Sequence, residues 1–388
     1  MASTVAPDTS PIIITAPGQS IDLSGTNDTT VLALGALEQI DLVGEEYEGG
    51  EGSNNTVVVT GAGSSVIIGA SEGTGNNDIQ LLGYGETVTG QAFPGSNDRI
   101  EVGGKNDTVD IGGYNSVVLT GTDNTVMIEP TLVADSEDPF GQNDVTATGI
   151  GKETVIGGGA DFTFSGGNGH YVIEGGGAEH ATISGGAGGG FFEGGYFTNP
   201  NYETGYYNGN NTITAGLQAS TLVGGLHGNS LLIAAGNARD VLIAGEYGSD
   251  TLSGGSSTGN NIYEGYSGPF ITTDDPAIPS LVIIAGSGND TLVAGVAAET
   301  LTGGAGRDQF RFFNLSGENL PSGGGQTTLT DFTPGLDKID LRGFGIISDQ
   351  VVADDTVTGG STYLALPDGE RITLLHITDL SPKDFTQS

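Results

Sequence analysis

Asp290 and Asp308, eighteen positions apart (308 − 290 = 18), hold the same place in two glycine-rich nonapeptides. The second, Gly303-Gly304-Ala305-Gly306-Arg307-Asp308-Gln309-Phe310-Arg311, fits the pattern G-G-x-G-x-D-x-U-x at every specified position. The first, Ala285-Gly286-Ser287-Gly288-Asn289-Asp290-Thr291-Leu292-Val293, has one defect, Ala285 for the leading glycine. A nonapeptide of this kind is a turn plus a short strand. Two of them complete one coil of a flattened parallel helix, so residues eighteen apart stack on one edge. Gly286, Gly288, Gly304 and Gly306 permit the tight turn and direct carbonyls inward. The aspartate adds the anionic oxygen that a hard cation such as Ca²⁺ prefers. The expectation is that Asp290 and Asp308 clasp one ion between successive coils.

The elements that must position these residues follow from the same rhythm. From Gly157 the period is plain: units open at Gly157, Gly166, Gly175 and Gly185, with Asp161, His170, Glu179 and Gly189 at the acid position. Asp161 and Glu179 are again eighteen apart, so that edge keeps a carboxylate pair for a cation. Repeats resume at Gly224 and continue through Gly236 to Asp240 and Gly245 to Asp250, adding two further candidate ligands. A run of aromatics, including Phe191, Phe192, Tyr202, Tyr206 and Tyr207, interrupts the period over 191–211. Over 54–150 only the rhythm survives, with Asn97, Asn106, Asn115 and Asn124 nine apart and apolar pairs after each. Asn suits such turns because it tolerates positive φ. Residues 1–53 hold short strand-like pieces, among them Ile12-Ile13-Ile14. After Phe310 glycine thins and longer strand patterns mark a small cap over 310–388. The predicted fold is therefore all-β: a right-handed parallel β-roll or β-helix solenoid, degenerate over 54–150, a glycine-rich β-roll over 151–309, with a C-terminal β cap.

Composition limits the partners. The 388 residues carry a formal charge of −38, with no Lys or Arg before Arg99 and none between Lys152 and Arg239. Phosphate binding needs clustered basic residues, so nucleic acid is excluded as a partner. Seventy glycines without a three-residue period exclude collagen. No apolar run is long enough to span a bilayer, so no membrane insertion is expected. With no cysteine, neither disulfides nor thiolate metal sites are available, and bound cations would take the place of covalent staples. Met1 to Asp8 lacks the basic region and apolar core of a secretory signal.

At these residues the chain resembles the RTX family of type I secreted proteins. Gly303 to Phe310, followed by Asp331-Phe332-Thr333-Pro334-Gly335-Leu336-Asp337-Lys338-Ile339-Asp340-Leu341, is similar to the C-terminal domain of serralysin-type proteases. Asp379-Leu380-Ser381-Pro382-Lys383-Asp384-Phe385 resembles the uncleaved export signal of that family. The resemblance implies calcium as the cofactor and export, unfolded, through a type I secretion transporter. Folding would follow in extracellular calcium, at the cell surface or beyond.

Catalytic signatures are sparse. The zinc-protease motif H-E-x-x-H is missing, and the four histidines, His170, His180, His227 and His376, are scattered. Gly69-Ala70-Ser71-Glu72-Gly73 matches G-x-S-x-G, but no strand-to-helix elbow or following histidine supports it. Lyases and epimerases built on β-helices need basic groups to meet a uronate, and residues 1–98 offer none. The leading expectation is a non-enzymatic, calcium-dependent structural protein that forms a homo-oligomer or polymer: a surface-layer, biofilm or filament subunit. In it Ile12, Ile13 and Ile14 would pair with a neighbour's exposed edge. The alternatives are an adhesin that binds glycan through Tyr202, Tyr206 and Tyr207, and a polysaccharide lyase or epimerase.

Overall fold

The computed structural model describes residues 3–4, 11–23, 28–42, 54–68, 76–90, 97–112, 115–129, 142–158, 161–178, 180–195, 210–226, 228–246, 248–266, 280–314, 325–346, 348–353 and 355–386. The chain divides into two compact units, residues 1–209 and 210–388. The division falls inside the aromatic-rich stretch 191–211.

Each unit is a parallel β-solenoid in which alternate strands join opposite sheets. In the first unit one sheet runs from Ser20–Asp22 through Gln39–Leu42, Ser65–Ile68, Thr87–Gly90 and Thr108–Gly112 to Gly189–Glu193. The facing sheet runs from Ile12–Ile14 through Thr30–Ala33, Thr56–Val59, Asp78–Leu81 and Arg99–Val102 to His180–Ser184. Strands are short because each repeat supplies only four or so residues between turn-forming ones. They alternate inward and outward, as in Thr56–Val59, where Val57 and Val59 are buried. Val57, Val59, Ile79, Leu81, Ile100 and Val102 are all 0% exposed. These mostly β-branched side chains fit a pleated surface with little loss of rotamer freedom. One coil alone could not cover that face, so stacking is what creates the core.

The second unit repeats the plan with larger side chains. Leu222, Leu242, Leu292, Phe310 and Ile339 lie along one sheet, each 0% exposed. Phe310 meets Phe332 with ring centroids 5.9 Å apart. The parallel ladders do not stop at residue 310. Lys338–Asp340 pairs with Gln309–Arg311, Gln326–Leu329 with Ala298–Leu301, and Arg371–Leu374 with Gln326–Leu329, all parallel. Only then does the direction reverse: Ser361–Ala365 runs antiparallel to Arg371–Leu374, and Thr356–Thr358 antiparallel to Ser361–Ala365. Gly359 and Gly360, at φ +64° and +82°, form the two-residue turn of that hairpin. The α-helix is Ser348–Ala353, and no helix among the described residues is long and apolar enough to cross a membrane.

Two expectations change. Phe191 and Phe192 belong to the strand Gly189–Glu193, with Phe192 0% exposed, so both are ladder residues rather than part of an insertion. Coil length also varies while register holds. Arg99 pairs with Ser116 (116 − 99 = 17). Thr291 pairs with Gln309 (309 − 291 = 18), but Ile262 with Thr291 (291 − 262 = 29).

Candidate metal centre

Along one sheet the residue just before a strand accepts, on its side-chain oxygen, the backbone N–H of its counterpart one coil earlier. In the second unit this makes a continuous ladder. Ser220 N–H donates to Asp240 Oδ1 (2.9 Å), Asp240 N–H to Asn261 Oδ1 (3.0 Å), and Asn261 N–H to Asp290 Oδ1 (2.7 Å). Asp290 N–H donates to Asp308 Oδ1 (2.8 Å) and Asp308 N–H to Asp337 Oδ1 (3.0 Å). The predicted stacking of Asp290 on Asp308 is thus present in the geometry.

The acids differ in what their second oxygen does. Asp240 Oδ2 accepts the Ala235 N–H at 3.1 Å, and Asp250, on the opposite edge, accepts Gly245 N–H at 2.7 Å. Their turns are closed by the chain's own donors. Asp290 Oδ2 and Asp308 Oδ2 are buried with no hydrogen-bond partner among the described residues. A buried carboxylate oxygen left bare is costly, and such an atom marks a place for an unseen ion or proton. Burial pushes the Asp290 carboxyl up to about 6. It pushes Asp308 up to about 7, with the charges of Asp337, Asp290 and Asp331 adding to the effect.

The motif glycine beside Asp308 Oδ2 is Gly303, where a Cβ would stand 2.7 Å from that oxygen. Gly304 (φ +83°) and Gly306 (φ +151°) hold conformations that side chains resist. A Cβ there would stand 2.2 Å from Gly286 O and 1.8 Å from Gly288 O. The carbonyls of Gly286, which accepts the Ala305 N–H at 3.2 Å, and of Gly288 therefore approach the next coil as closely as only glycine allows. Carbonyl oxygens and bare carboxylate oxygens are the donors a calcium ion takes. The residues present fit that ion: Asp290, Asp308, Gly286 and Gly288 would hold it, and it would supply the positive charge that the stacked acids lack. Among the described residues no three Asp, Glu, His or Cys side chains converge, so backbone oxygens must furnish much of any coordination.

Other expected residues are placed differently. Asp161 is exposed and pairs in register with His180, one step away from the ladder, whose place is taken by the buried Phe162. Glu179 lies outside the described residues, as do Tyr202, Tyr206 and Tyr207. At the turn 166–169 the hydroxyl of Tyr171 accepts both the Gly167 and Gly169 N–H groups, each at 2.9 Å. A neutral phenol thus fills the space an acid would hold. Ile12–Ile14 pairs with Val31, Leu32 and Ala33 on one side only, among the described residues; Ile13 is 56% exposed and Ile14 buried.

The C-terminal acids have sharper roles than spacing suggests. Asp331 accepts Gly303 N–H at 2.8 Å on one oxygen and Gly304 N–H at 2.7 Å on the other, fixing the start of the best motif. Asp337 caps Asp308 and also takes Thr333 N–H at 2.8 Å. Arg342, 2.7 Å from Asp340 and joined there by Arg311 at 3.2 Å, holds the Asp340 carboxyl below its ordinary range. Sequence reading missed Glu299 and Glu370, two buried acids bridged by the Thr327 hydroxyl at 3.4 and 3.0 Å. They stand on the opposite edge, outside any nonapeptide motif, so no spacing singles them out.

Fold and site define the class: a parallel β-solenoid whose glycine turns present stacked, incompletely paired acids. Residues 279–385 match the family model described as Peptidase M10 serralysin C terminal, a span of 107 residues (385 − 279 + 1) out of 388. It takes in both motif copies, Asp331, Asp337 and the antiparallel hairpin. The chain matches no curated protein.

Proposed function

We propose that this chain is a secreted, calcium-dependent structural protein of the RTX type that self-assembles at the cell surface or in the extracellular matrix. The observation that carries the calcium part is the pair of buried oxygens on Asp290 and Asp308 that have no hydrogen-bond partner among the described residues. Without a cation Asp308 stands among the charges of Asp337, Asp290 and Asp331, which favours the unfolded chain. With one, binding free energy becomes folding free energy.

The serralysin C-terminal match supports export by a type I transporter. In the folded chain Leu380 and Phe385 are buried, and Ser381 and Asp384 form a capping box. A transporter would therefore read this segment before folding, while calcium is scarce. Assembly rests on Ile12–Ile14, an apolar strand with one edge unpaired among the described residues, which a second copy can extend by β-augmentation.

Electron microscopy of the purified chain, with calcium and with chelator, tests both parts. Ordered assemblies are expected in calcium alone, and deletion of residues 1–16 should leave single subunits. Subunits that stay single in calcium, or assemblies of undiminished length after the deletion, would refute assembly through this strand.

A further inference from the structure

The second edge of the first unit turns on a pattern that has no G-G-x-G-x-D motif. Each turn reads glycine, any residue, a left-handed residue, then a polar side chain directed inward: Gly35 to Glu38, Gly61 to Ser64, Gly83 to Glu86, Gly104 to Asp107 and Gly121 to Asn124. The left-handed place is held in turn by Leu37, Gly63, Gly85, Asn106 and Asp123, at φ between 57° and 72°. The inward residues form a ladder like that of the second unit. Glu86 N–H donates to Asp107 Oδ1 (2.9 Å), Asp107 N–H to Asn124 Oδ1 (2.9 Å), and Asn124 N–H to Glu153 Oε2 (2.8 Å).

Glu86 and Asp107 stand on adjacent coils, 0% and 1% exposed. Glu86 Oε2 accepts the Gly83 N–H at 2.9 Å. The other oxygen of each acid, Glu86 Oε1 and Asp107 Oδ2, is buried with no partner. Two glycines open the space beside them. A Cβ on Gly83 would lie 2.4 Å from Glu86 Oε1 and 2.8 Å from Thr60 O. One on Gly104 would lie 2.4 Å from both Asp107 Oδ2 and Gly83 O. Each bare carboxylate oxygen thus shares its opening with a backbone carbonyl of the coil before.

Among the described residues no Lys or Arg pairs with either acid; the nearby Lys105 turns to Asp123 at 3.4 Å, with its side chain 55% exposed. Asn124 bounds the site. Its Oδ1 is taken by Asp107, so its unpaired Nδ2 faces the column, and an N–H donor repels a cation.

We propose that Glu86 and Asp107, with the carbonyls of Thr60 and Gly83, form a divalent-cation site that takes Ca²⁺, separate from the motif-borne site of the second unit. Two anionic and two carbonyl oxygens are a hard-cation donor set, completed by water. A single shared proton is the competing way to quiet the two acids, and it would make this edge indifferent to calcium.

The test is hydrogen exchange of the full chain, with calcium chloride and with chelator, in three forms: unaltered, Glu86→Gln with Asp107→Asn, and Asp290→Asn with Asp308→Asn. Calcium should slow exchange over residues 83–108 in the first and third forms. The second form should lose that response and keep the one over 286–308. No calcium response over 83–108 overturns the site. So does a response there that survives Glu86→Gln with Asp107→Asn, or one that vanishes only with Asp290→Asn and Asp308→Asn. If the doubly substituted edge does not fold, terbium chloride decides. Tyr84, 56% exposed and two residues from Glu86, should sensitise bound terbium, so Tyr84→Phe should lower the emission. Unchanged emission overturns the site.

Discussion

The amide-lined edge of the first unit and the acid-lined edge of the second are built on the same kind of side-chain-to-backbone ladder and differ in chemistry. On the former, Asn115 Oδ1 accepts the Asp98 N–H at 3.2 Å while Nδ2 donates to Gly112 O at 2.8 Å. Asn143 does the same for Asn115 (3.1 Å) and Gly158 O (3.4 Å). An amide brings one acceptor and one donor, so it closes its turn unaided. On the latter, Asp308 makes the same first bond and then has a second acceptor facing other acceptors. Exchanging NH₂ for O, nearly without change of shape, turns a self-sufficient coil into one with a buried oxygen that lacks a hydrogen-bond partner among the described residues.

The largest effect expected is therefore on the acid edge. With calcium at about a hundred times its Kd, the ion should add ~2.7 kcal/mol to stability. Asp290→Asn with Asp308→Asn should abolish that increment and leave the chelated protein at least as stable as before. Thermal unfolding with calcium and with chelator measures both, and an undiminished calcium shift would show that these acids are not the ligands.

Next comes pH. Burial, then the charge of Glu370, pushes Glu299 up to about 8, and burial pushes Glu370 up to about 7. Both bind protons more tightly folded than unfolded, so their contribution is full below the unfolded value of ~4.3 and is lost as pH rises through 7 and 8. In chelator the melting temperature should fall by several degrees over that window, and Glu299→Gln should flatten the slope. A slope unchanged by the substitution would place its origin elsewhere.

The reciprocal exchange, Asn115→Asp, should cost about 1–3 kcal/mol, because the new oxygen would face Gly112 O. Denaturant unfolding of the first unit would reveal it, and a neutral result would mean that the amide edge does not depend on its donors. The smallest effect is expected of Tyr171→Phe, at about 1–2 kcal/mol, since the Gly167 and Gly169 N–H groups lose their acceptor. Calcium should not restore it; recovery on adding calcium would mean that this turn can still take an ion.

The acid edge was legible in the sequence because Asp290 and Asp308 carry both the motif and the coil length, and nothing intervenes between them. The amide edge was not, because coil length changes under a constant rhythm. Asn97, Asn106, Asn115 and Asn124 are evenly spaced, yet Asn115 and Asn124 are ladder residues, whereas the ladder residues beside the first two are Asp98 and Asp107. A seventeen-residue coil shifts the pattern by one position. Asp161 stands off the ladder for a related reason: the register that places Asn143 beside Phe162 leaves Asp161 one step outside. The Glu86–Asp107 pair escaped notice because its ladder mixes Glu, Ser, Asp and Asn, which no single-residue pattern captures.

Variable coil length with fixed register has a practical side. The coil from Ile262 to Thr291 is eleven residues longer than the next (29 − 18 = 11), and the strands on either side pair as if nothing had been added. Lengthening a connection is entropically mild. A foreign epitope or enzyme-recognition tag added between Tyr266 and Ser280 should accordingly leave the pairing of Ile262 with Thr291 in register.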